Sequence, residues 1–180
     1  GKGIRLNAES VVHPFALKLN DMINHVQIKS VGLNPQDFTA SAPKDDLEFD
    51  ALVVPAFDKG LALEGSIDLA NHQPLPADAG GIPVRALLSN FTINDNGVLQ
   101  LQDTTINLIQ KGVINLSGSL DSSASEMNFN AELIGLTATD ALTQKLEGRL
   151  DGNIAVKGSY TQPETSWTLT SGDTTATGRL

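Results

Sequence analysis

A short pattern recurs along this chain: an apolar residue, any residue, glycine, Ser or Arg, then a second apolar residue. It reads LEGSI at 63–67, LSGSL at 116–120, LEGRL at 146–150, VKGSY at 156–160 and, more loosely, ATGRL at 176–180. Asp follows directly in three copies, as Asp68, Asp121 and Asp151. A motif that returns this often marks a repeat architecture. In each copy the glycine has the parity of the apolar residues. A strand built from it therefore carries glycine on its apolar face, at a cost of about 0.5–1 kcal/mol relative to Ala. Two readings offset that cost. Glycine admits a bulge, a tight coil or the close approach of another backbone. Alternatively it leaves a furrow unfilled, which a dense interior seldom tolerates, and an apolar furrow is a place for an apolar guest.

The dominant period of the chain is two. Leu47, Phe49, Ala51 and Val53 share one parity, as do Phe57, Leu61, Leu63, Ile67 and Leu69. Phe91 and Ile93 lead into Asn94-Asp95-Asn96-Gly97, a tight-turn signal, and Leu99 and Leu101 return from it. The parity shifts near Asp103-Thr104-Thr105, which predicts a bulge or a strand break. Ile114, Leu116 and Leu120, then Met127, Phe129, Ala131 and Leu133, then Trp167 and Leu169 continue the pattern. About ten strands are expected. Only LTATDALTQK offers a short helix, capped by Thr139 or Asp140 with Leu142 facing inward. The Pro-rich segment 71–83 is the one long loop, since its prolines cannot donate to a ladder.

Net charge is −9, from 12 basic and 21 acidic residues. That disfavours nucleic acid, whose binding rests on Lys and Arg, and adsorption to anionic lipid. The chain has no Cys, so disulfides and thiolate zinc sites are excluded. Aromatics make up 4% of residues, leaving slim aliphatics to form the apolar face. No run of 18 apolar residues is present, so no helix of this segment spans a bilayer. The chain starts GKGIRLNAES without Met and stops on a partial repeat. We therefore expect residues 1–180 to be one piece of a longer repeat structure, clearest over 63–180.

Signals for catalysis are weak. His13, His25 and His72 have no metal-like partner at i+2 or i+4. There is no Gly-x-Ser-x-Gly elbow. Of the acidic run Asp45, Asp46, Glu48 and Asp50, the last two alternate with Leu47, Phe49 and Ala51, as on a solvated strand face. Asn94-Asp95-Asn96-Gly97 lacks the spaced ligands and closing Glu of a calcium loop. No phosphate-cradling glycine loop is present. The expectation is a protein without catalysis, metal or cofactor.

The order of motifs from Gly65 to Leu180 resembles the TamB family of the AsmA-like group, the translocation and assembly module. The segment GSIDLANHQPLPADAGGIPVRAL is similar to that family's strand, Asn, Pro-rich loop, Asp and Pro-apolar sequence. It departs in reading Asp78-Ala79-Gly80-Gly81 where a basic residue would precede the apolar-Pro pair. LQLQDTTINLIQKGVINLSGSLD resembles the family's hairpin. LTATDALTQKLEGRLDGNIAVKGSYTQPETSWTL resembles its recurring Leu-x-Gly-x-Leu-x-Gly run, with Pro163 in place. The resemblance implies an all-β fold: an elongated open sheet curled along its length, called a β-taco or repeating β-groove, with an apolar concave interior. It implies a periplasmic protein anchored in the inner membrane and reaching the outer membrane. It implies partnership with an outer-membrane assembly barrel of TamA or BamA type. Phospholipid transport and outer-membrane protein assembly are the implied roles.

On this reading the groove is lined by Leu61, Leu63, Ile67, Leu69, Leu99, Leu101, Ile114, Leu116, Leu120, Met127, Phe129, Leu133, Leu146, Leu150, Ile154 and Val156. Gly65, Gly118, Gly148, Gly152 and Gly158 shape its floor. Its guests are phospholipid acyl chains or the β-strands of client proteins. The competing expectation is a structural or adhesive β-solenoid with a dry core.

Overall fold

The computed structural model describes residues 5–15, 23–57, 62–140, 142–143 and 148–180. Eleven strands form one antiparallel sheet in which each strand pairs with its neighbour in sequence. They are β1 (Arg5–Val12), β2 (Ile23–Leu33), β3 (Leu47–Pro55), β4 (Leu63–Asn71), β5 (Val84–Ile93) and β6 (Val98–Leu108). They continue as β7 (Val113–Asp121), β8 (Glu126–Leu136), β9 (Leu150–Ser159), β10 (Gln162–Ser171) and β11 (Thr174–Arg179). β1 and β11 do not pair with each other, so the sheet is open. The helical content among the described residues is short 3-10 turns, as at Pro35–Asp37, Ala77–Ala79 and Ala138–Asp140.

Local chemistry explains the strand ends. The Asn94 side chain accepts from Asn96 N at 3.0 Å and Val98 N at 2.9 Å, and Gly97 takes a φ of 78° to complete the turn. Asp121, directly after the LSGSL copy, accepts from Ser123 N, Ser123 Oγ and Ala124 N at 2.9, 2.7 and 3.0 Å. Asp151, after the LEGRL copy, accepts from Gly135 N at 2.6 Å. That bond holds the register shift between Leu133 and Leu136. The predicted irregularity near Asp103 is a register shift between Leu101 and Thr104, with Asp103 at a φ of 48°.

Two sequence expectations change. The described residues of the LTATDALTQK segment include a 3-10 turn at Ala138–Asp140, while 141, 144 and 145 lie outside the described residues. Leu142 does not face inward but is 38% exposed. The reason is Asp140, which is only 1% exposed and takes the inward position. β1, β2 and β3 lie before residue 63, outside the stretch where the repeats are clearest.

Candidate functional site

Period-two alternation and in-register pairing carry the apolar residues into continuous rows that run across the strands. One row reads Leu63, Ile93, Leu99, Leu120, Met127. The next reads Val53, Gly65, Phe91, Leu101, Gly118, Phe129, Val156. A third passes through Ala51, Ile67, Ser89, then Thr104, Leu116, Ala131, Ile154 and Trp167. The fourth holds Phe49, Leu69, Leu87, Ile106, Ile114, Leu133, Gly152 and Leu169. Leu136 opposite Leu150 lies beyond it. The longest rows cross eight strands, β3 to β10, which at about 4.8 Å per spacing is roughly 34 Å along the sheet.

Every groove residue expected from sequence that lies among the described residues falls on this one face. Leu61 and Leu146 lie outside the described residues. The opposite face carries Glu64, Ser66, Asn90, Gln100, Gln102, Asn115, Ser117, Asn128, Asn130, Glu132 and Lys157, which alternate with the apolar residues in the same strands.

Among the described residues all the strands belong to the one sheet, so no second sheet packs on the apolar face. It is nevertheless the more sheltered face. The strand side chains that are buried, namely Ser30, Leu47, Asn71, Ser89, Thr104, Leu108 and Leu133, all have its parity. Small hydroxyl side chains such as Ser89 and Thr104, 7% and 3% exposed, are covered only if their neighbours close over them. The sheet thus curls toward its apolar side. Most of the row remains half-buried rather than buried, and Ile67 is 36% exposed.

The glycines on this face are closely approached. A methyl on Gly65 would lie 2.5 Å from both Leu52 O and Phe91 Cζ. On Gly118 it would meet Asn128 O at 2.3 Å and Phe129 Cδ1 at 2.5 Å. In both cases an aromatic ring on the next strand covers the glycine, the arrangement known to rescue glycine in sheets. Gly178 is covered in the same way by Trp167. Gly152 lies against Thr168 O and Leu169. Gly148 and Gly158 are different: the nearest atoms to a methyl there would be at 3.7 and 3.5 Å. The room beside the first set is filled by side chains of the sheet itself.

Polar groups on the face are few and specific. Ser89 Oγ and Thr104 Oγ1 are 2.6 Å apart across β5 and β6, where the register shifts. Ser30 Oγ is fully buried with no hydrogen-bond partner. At one end of the strands two buried carboxylates organise the loops. Asp45 accepts from Asn71 Nδ2 at 2.7 Å and from Ile82 N at 3.1 Å. Asp140 accepts from Gln110 N at 2.8 Å, Gly112 N at 3.3 Å and Thr137 N at 2.8 Å. Burial pushes the Asp140 carboxyl up. The amides of Thr137, Gln110 and Gly112 and the Thr137 hydroxyl outweigh that and hold it below the ordinary Asp value. Gly112 is required here, because a methyl on it would lie 2.8 Å from Asp140 Oδ2. Sequence reading missed both carboxylate sites. Asp45 and Asn71 are 26 residues apart, and no local spacing joins them.

The polar face carries shallow depressions, among them one of about 400 Å³ and one of about 330 Å³. The first is lined by Asp103, Thr105, Asn115, Ser117, Asn130 and Glu132. Its amides and hydroxyls bond to one another, as in Asn115 Nδ2 to Glu132 Oε2 at 3.0 Å. Glu48 and Asp50 stand on this face, paired with His72 and Lys29, each at 2.9 Å. Lys29 and Gln27 lower the Asp50 pKa by hydrogen bonding to its carboxylate. Among the described residues no group of three or more His, Asp and Glu is placed to hold a metal ion. The apolar face is therefore the candidate site. Compared with family models, curated proteins and solved structures, the chain finds no match in any of the three.

Proposed function

We propose that this chain is a segment of a TamB-like periplasmic protein whose apolar groove carries or shields acyl chains. It would do so without chemistry, in support of phospholipid movement between membranes and of outer-membrane protein assembly. Its parent would meet an assembly barrel of TamA or BamA type. The observation that carries this reading is a continuous apolar face on one open, curled sheet, with no second sheet among the described residues to fill it. A soluble chain does not ordinarily leave so extended an apolar surface without a partner. Each buried CH₂ contributes about 0.8 kcal/mol, so a dozen methylenes would gain close to ten kcal/mol before ordering costs.

Mass spectrometry of lipids that co-purify with the chain tests this directly. Phospholipid is expected. Its absence, together with no uptake of an acyl-chain probe, sinks the proposal. Ile154→Arg and Leu150→Arg sharpen the test. In an open groove an Arg stem lies along the face with its head in water, so the fold survives and lipid is lost. In a sealed core the same charge unfolds the chain.

A second reading has its own observation. Among the described residues β1 and β11 each have one strand neighbour, so each offers an edge. An extended client strand could add there through main-chain hydrogen bonds. A β-solenoid with a dry core finds less support, since such coils do not run as one antiparallel sheet with open ends.

A further inference from the structure

Strand β6 carries one residue more than either of its neighbours. From Gln102 to Thr105 it advances three positions while β5 passes from Asn90 to Leu88, two positions. From Leu101 to Thr104 it again advances three while β7 passes from Gly118 to Leu116, two. Gln102, Asp103 and Thr104 therefore hold a bulge that both pairings share. Asp103 sits in it with a φ of 48°, a left-handed conformation that Asp tolerates and a β-branched residue resists. The other register shifts among the described residues begin at Val11, Ser30, Val84 and Leu133 and fall at or near the end of a strand. Every residue of β4 to β8, and of the connections between them, is described.

The extra residue is not what sends apolar side chains to the groove. Joining Gln102 directly to Thr104 would leave Leu101, Thr104 and Ile106 on one parity and Gln102, Thr105 and Asn107 on the other. Those are the faces they already occupy, with Leu101 opposite Gly118, Thr104 opposite Leu116 and Ile106 opposite Ile114. What the residue adds is shape, because a bulge bends its strand and sharpens the local twist.

Both surfaces of the sheet show the bend at this place. On the apolar face Ser89 and Thr104 are 7% and 3% exposed, although Ile67, the larger neighbour directly opposite Ser89, is 36% exposed. Their hydroxyls, 2.6 Å apart, satisfy each other inside the crease. On the polar face one depression lies between Asp103 and Thr105 of β6 and Asn115 and Asn130 of β7 and β8. Another lies on the opposite flank of β6, between Gln102 and Asn90, Ser66 and Leu52. Side chains part on the outside of a bend and close on its inside.

We propose that Asp103 is a positioning residue: the bulge it holds creases the sheet along β5 and β6 and sets how closely the apolar face closes around an acyl chain. This role rests on the reading of the face as a groove for such a guest, while the crease itself does not.

The chain has no Cys, so Ser89→Cys in the full chain places its only thiol in the crease. Deleting Asp103 should speed reaction of that thiol with a small maleimide by about tenfold or more, since thiol reactivity follows access. The deletion variant should keep its β-sheet circular dichroism and a cooperative urea transition. Asp103→Gly, which suits the same φ, should react within about twofold of the parent rate. Equal rates with and without Asp103 overturn the crease. A deletion variant that no longer folds overturns it too, since the residue would then serve the fold and not its curvature. The guest is probed with a fatty acid bearing a fluorophore on its chain, titrated into chains with Ser89 intact. Deletion should weaken its binding by about tenfold or more, as apolar contact is lost, and Asp103→Gly should not. Unchanged affinity in a deletion variant whose thiol has opened overturns the positioning role alone. No binding by the unaltered chain overturns the groove reading and that role with it, while the thiol rates still decide the crease.

Discussion

At one end of the strands, β5 meets β6 through Asn94, Asp95, Asn96 and Gly97, and the Asn94 side chain satisfies the turn from within. At the other end of the strands, β4 meets β5 through a dozen residues, among them Ile82, whose amide donates to Asp45, 37 positions away. The first end is closed by local chemistry and the second by long-range carboxylates. The difference teaches where order in a single-layer sheet comes from. Such a sheet has no opposing layer to bury its apolar side, so its longer loops must be fixed by directed bonds. A buried carboxylate serves that purpose because it accepts several N–H donors at once.

The largest expected effect falls on a buried carboxylate that fixes the longer loops. Asp140→Ala strands the amides of Gln110, Gly112 and Thr137, and stability measured by urea denaturation should fall by about 3 kcal/mol. Asp121→Ala, in the exposed β7–β8 turn, should move the urea midpoint by much less, since its partners reach water. A comparable midpoint shift in both would erase the contrast between the locally closed turn and the carboxylate-held loops.

Asp45→Ala should cost about 2 kcal/mol by the same measurement, because Asn71 and Ile82 N lose their acceptor. Titration sharpens the point. The folded pKa of Asp140 is lowered, so its stabilising contribution is complete above the ordinary carboxyl range near 4. It is lost as pH falls through the lower folded value. Thermal unfolding followed from pH 7 to 3 should therefore show an acid-side decline that Asp140→Asn reduces. An unchanged acid slope in that variant would count against the assignment.

A smaller effect separates the glycines on the face. Gly118→Ala pushes a methyl into Phe129 and Asn128 O and should cost roughly 1–3 kcal/mol, as overfilling generally does. Combining it with Phe129→Ala should recover only the part owed to the ring, because the carbonyl clash stays. The smallest effect is at Ser30, whose buried hydroxyl has no partner. Ser30→Ala should leave stability unchanged or raise it by about 1 kcal/mol. A clear loss would reveal a partner for that hydroxyl.

Much of this molecule was legible in the residues themselves. Alternation of Leu63, Ile67 and Leu69, or of Met127, Phe129 and Leu133, assigns a face to each strand, because successive side chains in a strand point to opposite sides. Asn94 to Gly97 places a turn by its own side-chain chemistry, and the parity slip at Asp103 marks its register shift. All of these are short-range effects, decided within a few residues. The tertiary structure decided the rest. That Gly65 and Gly118 sit beneath Phe91 and Phe129 depends on register between strands. That Asp140 turns inward and Leu142 outward depends on amides from the β6–β7 turn, about thirty residues earlier. Asp78 accepts from the Thr143 amide, 65 positions away. Such contacts follow from the curl of the whole sheet, which brings distant loops together, and no window of sequence contains that geometry.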